Sequence, residues 1–423
     1  MITQLRNITL LSVMIMSVVL GYAQISSQDV KVLERLLGSK VSLNNSEIQQ
    51  ILNQMRDPAM RKAALRRATY NLDVFYEVSV KNFATRMAVR SEEVSSPLND
   101  FSATVIGIVR DNLDARQMLT GNFLYAANPT LIPAGINIRN NLINDRLNSN
   151  NHYLDIENNL YRLNVASILV QVPQEVLDVP VNNNPTINNV VPNPDPGGLL
   201  TSYTWGREHL VAGTNRRPVE YALRSFLCTP MELAADTLAN DSHVGRDIDR
   251  NPGGDPNRYL TTCKGCHTIM DGFRGAFAMW NFAMNNNGGG ILVHGSLHRN
   301  RLDINNGIAR KMNQNANVYP DGFPTTNDSW INYATRPKNA EIFGWKGPYQ
   351  GNGVGSFATL LAQSDRFPIC MAKRVFNEVC ARSQSPYKDV KNSVTEELAR
   401  KFVESNYNLR ELFIETASHE ACK

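Results

Sequence analysis

Apolar residues recur at helical spacing along the first part of the chain, from Ser27 to about Tyr125. Ser46 followed by Gln49 has the pattern of a capping box, which closes the first turn of a helix. The apolar residues that follow fall on one helical face, namely Ile48, Ile51, Leu52 and Met55. We therefore predict a helical N-terminal domain over residues 24–125.

Helical periodicity returns near the end of the chain, in "SFATLLAQSDRFPICMAKRVFNEVCAR" and "SVTEELARKFVES". Ser393 with Glu396 forms a capping pair for one helix, and Asn408 with Glu411 forms a pair for the next. These patterns predict a helical C-terminal domain over residues 350–423.

Turn-forming residues dominate between the two helical regions. Asparagine and proline prevail over 126–200, as in "VPVNNNPTINNVVPNPDPGG", which predicts a loop and linker or, equally, an ordered surface excursion. Residues 201–349 are rich in glycine and asparagine and predict an irregular segment. The predicted fold class is mainly α, with helical N-terminal and C-terminal domains that flank this segment.

The composition is that of a globular protein, since 42% of the 423 residues are hydrophobic and 19% are charged. The formal charge of +4 is small for this length. Lysine and arginine form no dense patch, so we expect no nucleic-acid partner.

The N-terminus has the pattern of a secretory signal peptide over residues 1–23. One arginine precedes an apolar run from Ile8 to Leu20, and Gly21 and Ala23 are the small residues before the predicted cut. The run is short for a membrane span, and no later segment is long enough for one. We expect an exported protein of the bacterial periplasm or outer cell surface, with no integral membrane segment after cleavage.

Four of the six cysteines are typical of two disulfides in an exported protein: Cys228, Cys370, Cys380 and Cys422. A Cys370–Cys380 bridge is excluded, because ten residues of helix would separate the two Cα atoms by about 15 Å. We favour Cys228–Cys370 with Cys380–Cys422, which would fasten the terminal helix. The pairing Cys228–Cys380 with Cys370–Cys422 stays open.

The other two cysteines lie in "CKGCH", residues 263–267, which matches the pattern of c-type haem attachment. Two thiols at this spacing form thioethers with the two vinyl groups of one porphyrin, and the next residue becomes the proximal imidazole ligand of the iron. We predict one covalent haem c, attached through Cys263 and Cys266, with His267 as proximal ligand.

Two other chemistries compete for this motif. A structural zinc site would need a second ligand pair at short spacing, such as His294 and His298. A thioredoxin-like dithiol would need a βαβ context, and the sequence shows none. Haem c is the stronger hypothesis, because bacteria attach haem c outside the cytoplasm and this chain is predicted to be exported.

No motif marks the sixth ligand of the iron. A downstream methionine is common in small cytochromes c, but Met270 follows His267 too closely to reach the opposite haem face. We favour Met312, Met279 or Met284, and other candidates are His294, His298 and Met371. Elsewhere, "DIDRNPGGD" (247–255) fails the pattern of a calcium loop and predicts a solvated turn. His209 and His243 are predicted at the surface or beside haem propionates.

The surroundings of CKGCH resemble the planctomycete-type cytochrome c proteins, which are exported multi-domain bacterial proteins of unknown function with a single CxxCH motif. Their motif is followed by a Met-Asp pair and an Asn-Phe pair, as it is here by Met270-Asp271 and Asn281-Phe282. The stretch "NRRPVEYALRSFLCTP" and both helical regions are also similar to that family. Gly272 stands where the family usually has proline. The resemblance covers most of the mature chain and implies a haem protein without a settled reaction.

These observations make 201–349 a predicted cytochrome c-like haem-binding segment. The main hypothesis is an exported mono-haem c-type cytochrome that transfers electrons to redox partner proteins. One alternative is a haem enzyme with an open distal site for peroxide, oxygen or a small substrate. Another is a surface protein in which the haem is structural. We predict no catalytic residue and favour an electron carrier over a catalyst.

Overall fold

The computed structural model describes residues 26–177, 190–211, 213–284, 289–297, 304–380 and 391–422. The predicted signal peptide therefore lies outside the described residues. No helix within these ranges is long and apolar enough to cross a membrane.

The described chain is mainly α-helical, as predicted. In chain order the helices are α1 Ser27–Leu37, α2 Ser46–Met55, α3 Arg61–Asn71, α4 Lys81–Ala88, α5 Asp100–Arg110, α6 Gln117–Thr120, α7 Asn151–Asn158, α8 Val165–Ile168, α9 Tyr203–Trp205, α10 Arg216–Leu227, α11 Met231–Ala234, α12 Pro256–Arg258, α13 Lys264–Phe273, α14 Pro337–Phe343, α15 Gly353–Gln363, α16 Arg366–Cys380, α17 Asn392–Glu404 and α18 Leu409–Ser418.

The strands pair only as two-stranded antiparallel sheets within the described ranges, and each pair joins neighbours in the sequence. They are β1 Phe123–Ala127, β2 Leu169–Pro173, β3 Glu175–Leu177, β4 Val190–Pro192, β5 Trp280–Met284, β6 Gly290–His294, β7 Ile304–Asn305, β8 Ile308–Ala309, β9 Ser329–Ile331 and β10 Gln350–Asn352.

The described part of 126–200 is ordered, which agrees with the ordered excursion predicted as one of two alternatives and not with a free linker. Strand β1 pairs with β2 across this region and packs against α5. Several of the asparagines cap short helical segments instead of forming turns: the side chains of Asn128, Asn141 and Asn164 accept hydrogen bonds from backbone N–H groups that begin such segments. Asparagine favours helix N-caps for the same reason that it favours turns.

The helices from both ends of the chain share one hydrophobic core. Helix α18 packs against α1 and α3, and α16 packs against α4, α17 and α18. Phe413 of α18 makes edge-to-face ring contacts with Phe75 and Phe83. The boundaries near residues 125 and 350 therefore do not separate independent cores.

Both disulfides are those favoured from the sequence. Cys228, which follows α10, is bonded to Cys370 in α16, and Cys380 at the end of α16 is bonded to Cys422. Cys370 and Cys380 lie on the same helix, which is why they cannot pair with each other. The first bridge fastens α10, the helix on which the CKGCH segment packs, to the C-terminal helices.

Two buried histidines are held in the neutral form. His152 donates from Nδ1 to the Arg139 carbonyl at 2.7 Å and accepts at Nε2 from the Ala127 N–H at 2.9 Å, and burial lowers its pKa to about 4. His209 is fully buried and its Nε2–H donates to the Ala88 carbonyl at 3.1 Å. Burial lowers the pKa of His209 to about 3. The prediction that His209 lies at the surface is therefore wrong.

Lowering the pH from 7 to 5 is expected to reduce the free energy of unfolding through these two histidines. Their unfolded pKa is about 6.5, above both folded values, so below pH 6.5 the unfolded chain binds protons that the folded chain does not. Each histidine then costs about 1.4 kcal/mol per pH unit until the pH reaches its folded pKa. Urea unfolding at pH 7 and 5 measures this loss, which should be smaller in His152→Gln/His209→Gln. Equal losses in this variant and the wild type would contradict it.

Candidate functional site

The CKGCH motif lies at the start of α13, and its three reactive side chains share one side of the helix. Cys263 precedes the first residue of α13, and Cys266 and His267 follow three and four positions later, which is the spacing of neighbours on a helical face. All three are partly exposed, as is Met270 one turn further on. Two thiols and an imidazole thus lie partly exposed on one side of the helix.

The opposite face of α13 is packed too closely for larger side chains. A Cβ at Gly265 would lie 3.2–3.3 Å from the side chains of Thr237 and Ala235, and one at Gly272 would lie 2.6 Å from the Ile331 carbonyl. Gly272 therefore lies at a close approach between α13 and β9.

His243 holds the same buried side of α13. Its Nε2–H donates to the Thr268 carbonyl at 2.8 Å, and its ring stacks on Tyr333 with the ring centres 3.6 Å apart. Burial lowers the pKa of His243, which favours the neutral ring. His243 therefore fixes the helix from the side opposite to the thiols.

The imidazole of His267 meets a buried carboxylate one helical turn away. Nδ1 of His267 lies 3.4 Å from Oδ1 of Asp271. A carboxylate can only accept, so Nδ1 carries a proton, and the neutral form of the ring then has its lone pair on Nε2. Such a partner is typical of metal-ligating histidines, whose second ring nitrogen donates to a carboxylate or a carbonyl.

Asp271 belongs to a buried ion network that consists of Asp271, Arg216, Asp247 and Arg274. Arg216 spans both carboxylates, with Nη2 at 2.7 Å from Asp271 and 3.0 Å from Asp247. Arg274 donates to Asp247 at 2.8 Å, and the Gly245 N–H donates to Asp271 at 2.7 Å. With two arginines and two aspartates the network is neutral, which is the condition for burying charges at acceptable cost.

The charges of this network keep both carboxyl groups ionised. Burial opposes ionisation of Asp271, but the charges of Arg274 and Arg216 and the hydrogen bonds from Arg216 and His267 outweigh it and hold its pKa far below the usual range. Burial likewise opposes ionisation of Asp247, and the two arginines hold its pKa below the usual value. His267 therefore faces an anion.

The two thiols of the motif are unbridged, although the other four cysteines form disulfides. Burial, together with the negative charges of Glu232 and Glu220, raises the pKa of the Cys266 thiol. A redox dithiol needs the opposite, a thiolate stabilised near neutral pH. The surroundings of Cys266 therefore do not favour a thioredoxin-like reaction.

Exposed leucines lie on the segments around the motif. Leu260 lies three residues before Cys263 and is 44% exposed. Leu233 is on α11, which packs against α13, and Leu238 follows Asp236, whose N–H donates to the Gly265 carbonyl. Leu260 is the nearest of these to the motif in the sequence, whereas Leu238 follows the segment that packs on the Gly265 side of α13.

The predicted sixth ligands occupy different surroundings. Met312 is fully buried in a small cluster with Ala278 and the residues of β7 and β8, and Met279 packs against this cluster. Met371 is buried in the main core, and Met284 is 55% exposed at the end of β5.

Two histidines complete the candidates for the sixth ligand. The ring of His294 packs edge-on against Trp280, and its Nδ1 lies 2.7 Å from the Ser296 hydroxyl. His298 lies outside the described residues. Within the described ranges, no three His, Cys, Asp or Glu side chains are grouped as ligands of a metal ion.

The position of Asp247 differs from the sequence-based prediction. The segment 247–255 was expected to be a solvated turn, but Asp247 is only 8% exposed, because Arg216 and Arg274 draw its carboxylate into the interior. The ion network of Asp271, Arg216, Asp247 and Arg274 beside the motif was also not predicted from the sequence. Only Asp271 carries a local signal, since it lies one turn after His267.

The chain matches no known protein family, no curated protein and no solved structure.

Proposed function

We propose that this chain is an exported mono-haem c-type cytochrome, which binds haem c through Cys263 and Cys266 with His267 as proximal ligand and transfers electrons in the periplasm or at the cell surface. The observation that carries the proposal is the common face of α13. It presents two unbridged thiols and an imidazole at the attachment spacing. The buried Asp271 fixes the imidazole tautomer that can bind iron.

The residues of the site fit a haem in three respects. The thiols lie three positions apart on one helical face, where each can form one thioether. The contact of Nδ1 with Asp271 leaves Nε2 of His267 as the nitrogen that would bind iron. Leu260, three residues before the motif, is an exposed apolar side chain. When bound, the haem supplies a one-electron iron centre, and this chain holds it, orients the imidazole and retains the proton on Nδ1.

The cysteine pattern supports an extracytoplasmic location. Disulfides persist in oxidising compartments, and this chain has two of them, with sequence separations of 142 and 42 residues. The predicted signal peptide is consistent with the same compartment. Haem attachment to CxxCH would leave all six cysteines covalently engaged.

Electron transfer is favoured over catalysis by the position of the motif. Its side chains are partly exposed at the surface, where a haem edge could exchange electrons with a partner protein. The ferric visible spectrum with and without cyanide distinguishes the two functions. Six-coordinate low-spin iron that resists cyanide is expected, whereas high-spin iron that binds cyanide readily would favour an enzyme.

Haem content tests the proposal itself. The full chain is produced in a bacterial host with the haem c maturation machinery and separated by denaturing electrophoresis. We expect haem stain at the position of the chain and one haem per chain in the pyridine haemochrome assay. A chain that stains negative and carries stoichiometric zinc would refute the proposal.

A further inference from the structure

We propose that Asp271 is a positioning residue that lowers the reduction potential of the haem by accepting the Nδ1 proton of His267 in a hydrogen bond. The inference rests on the proposed function, because it concerns the ligand to a bound haem. It predicts the direction in which the reduction potential is shifted: this site favours the oxidised state more than a site with a neutral hydrogen-bond acceptor would.

The two carboxylate oxygens of Asp271 have different hydrogen-bond partners. Oδ2 of Asp271 accepts from the Gly245 N–H and from Nη2 of Arg216, and Oδ1 faces His267 and Nε of Arg216. The carboxylate is therefore held at several points, and its orientation relative to His267 is fixed by tertiary partners and not by α13 alone.

The ion network around Asp271 is rigid. Arg216 binds Asp271 and Asp247 with a planar guanidinium, a geometry that lysine cannot reproduce. A Cβ at position 245 would lie 2.1 Å from Nη2 of Arg274 and 2.2 Å from the Asp247 carboxylate, so a larger residue there would displace the network. A network packed this closely keeps the carboxylate in place in both oxidation states.

The Asp271 carboxylate changes how strongly His267 would donate to iron. A carboxylate that accepts the Nδ1 proton makes the imidazole a stronger electron donor at Nε2, because it places negative charge next to the ring and draws on the N–H bond. Stronger donation stabilises the higher charge of ferric iron over ferrous iron. Hydrogen bonding to the proximal ligand and nearby charge are recognised determinants of haem potential.

The decisive experiment compares two variants that remove the same charge. Asp271→Asn removes the negative charge and the carboxylate on His267, whereas Asp247→Asn removes an equal charge from the same network and leaves Asp271 opposite His267. Asp100→Asn is the control for general destabilisation, since Asp100 is also buried but lies elsewhere in the fold, where it accepts from the backbone of Tyr203 and Thr204.

Spectroelectrochemical titration of the purified holoproteins gives the readout. We expect Asp271→Asn to favour reduction at least tenfold relative to wild type, which is about 59 mV for a one-electron couple. Asp247→Asn should shift the potential in the same direction by less, and Asp100→Asn should leave it unchanged. Equal shifts in Asp271→Asn and Asp247→Asn would show that charge alone acts, and an unchanged potential in Asp271→Asn would also overturn the inference.

A second measurement needs no variant and covers the case in which Asp271→Asn does not fold. In proton NMR spectra of the wild-type holoprotein, the Nδ1 proton of His267 should exchange slowly with solvent, because it faces a buried carboxylate. Fast exchange would overturn the inference. A wild-type chain without covalent haem would instead refute the proposed function, so the two failures are distinguishable.

Discussion

Replacing both Cys263 and Cys266 with alanine is expected to abolish covalent haem attachment completely. These are the unbridged thiols of the described chain, and both lie on the half-exposed face of α13. Each single variant keeps one thiol and should retain haem through one thioether, in lower yield and with a shifted haemochrome band. Haem stain after denaturing electrophoresis measures attachment directly, since that treatment removes haem held only by coordination.

The control for this experiment is a second pair of cysteines. Cys380→Ala/Cys422→Ala also removes two cysteines, but these form the bridge near the C-terminus and have no place in the motif. The protein that remains folded in this variant should stain as the wild type does. Haem stain that persists in Cys263→Ala/Cys266→Ala would show that the attachment site lies elsewhere.

Removal of the Cys228–Cys370 bridge is expected to produce the largest loss of stability among the cysteine variants. Cross-links stabilise mainly by restricting the unfolded chain, and this bridge spans 142 residues. Cys228→Ala/Cys370→Ala should lower the free energy of unfolding by about 2–5 kcal/mol. Urea unfolding followed by far-UV circular dichroism, at equal haem content, measures the loss.

The bridge between Cys380 and Cys422 provides the comparison. It spans 42 residues, so the chain-entropy argument gives it about 1 kcal/mol less. We expect both double variants to be destabilised, with the greater loss for Cys228→Ala/Cys370→Ala. A greater loss for Cys380→Ala/Cys422→Ala would contradict this account of how the helices are held together.

Local patterns predicted the helices well and their first residues less well. Asn408 caps α18 through the Glu411 N–H, as its capping pair indicates. The cap of α2 is Asn45 and not Ser46, because the Asn45 side chain reaches the N–H groups of Glu47 and Ile48. Two adjacent residues that can both cap leave the first turn ambiguous by one position.

The sequence was least informative where distant segments meet. The common face of Cys263, Cys266 and His267 follows from their spacing, and Asp271 could have been recognised as one turn from His267. Arg216 reaches Asp271 across 55 residues and Asp247 across 31, so no local periodicity could place them together. Charged residues in polar stretches are normally solvated, and only the tertiary structure shows that these are buried partners.

A tryptic digest of the unreduced, denatured protein tests the central claim most directly. Trypsin cuts after Arg258, Lys264 and Arg274, so it separates Cys263 and Cys266 into two peptides, Tyr259–Lys264 and Gly265–Arg274. If both cysteines carry thioethers to one porphyrin, mass spectrometry should find the two peptides joined, with the added mass of one haem. Two separate peptides with free thiols, or a pair joined by a disulfide with no added mass, would contradict it.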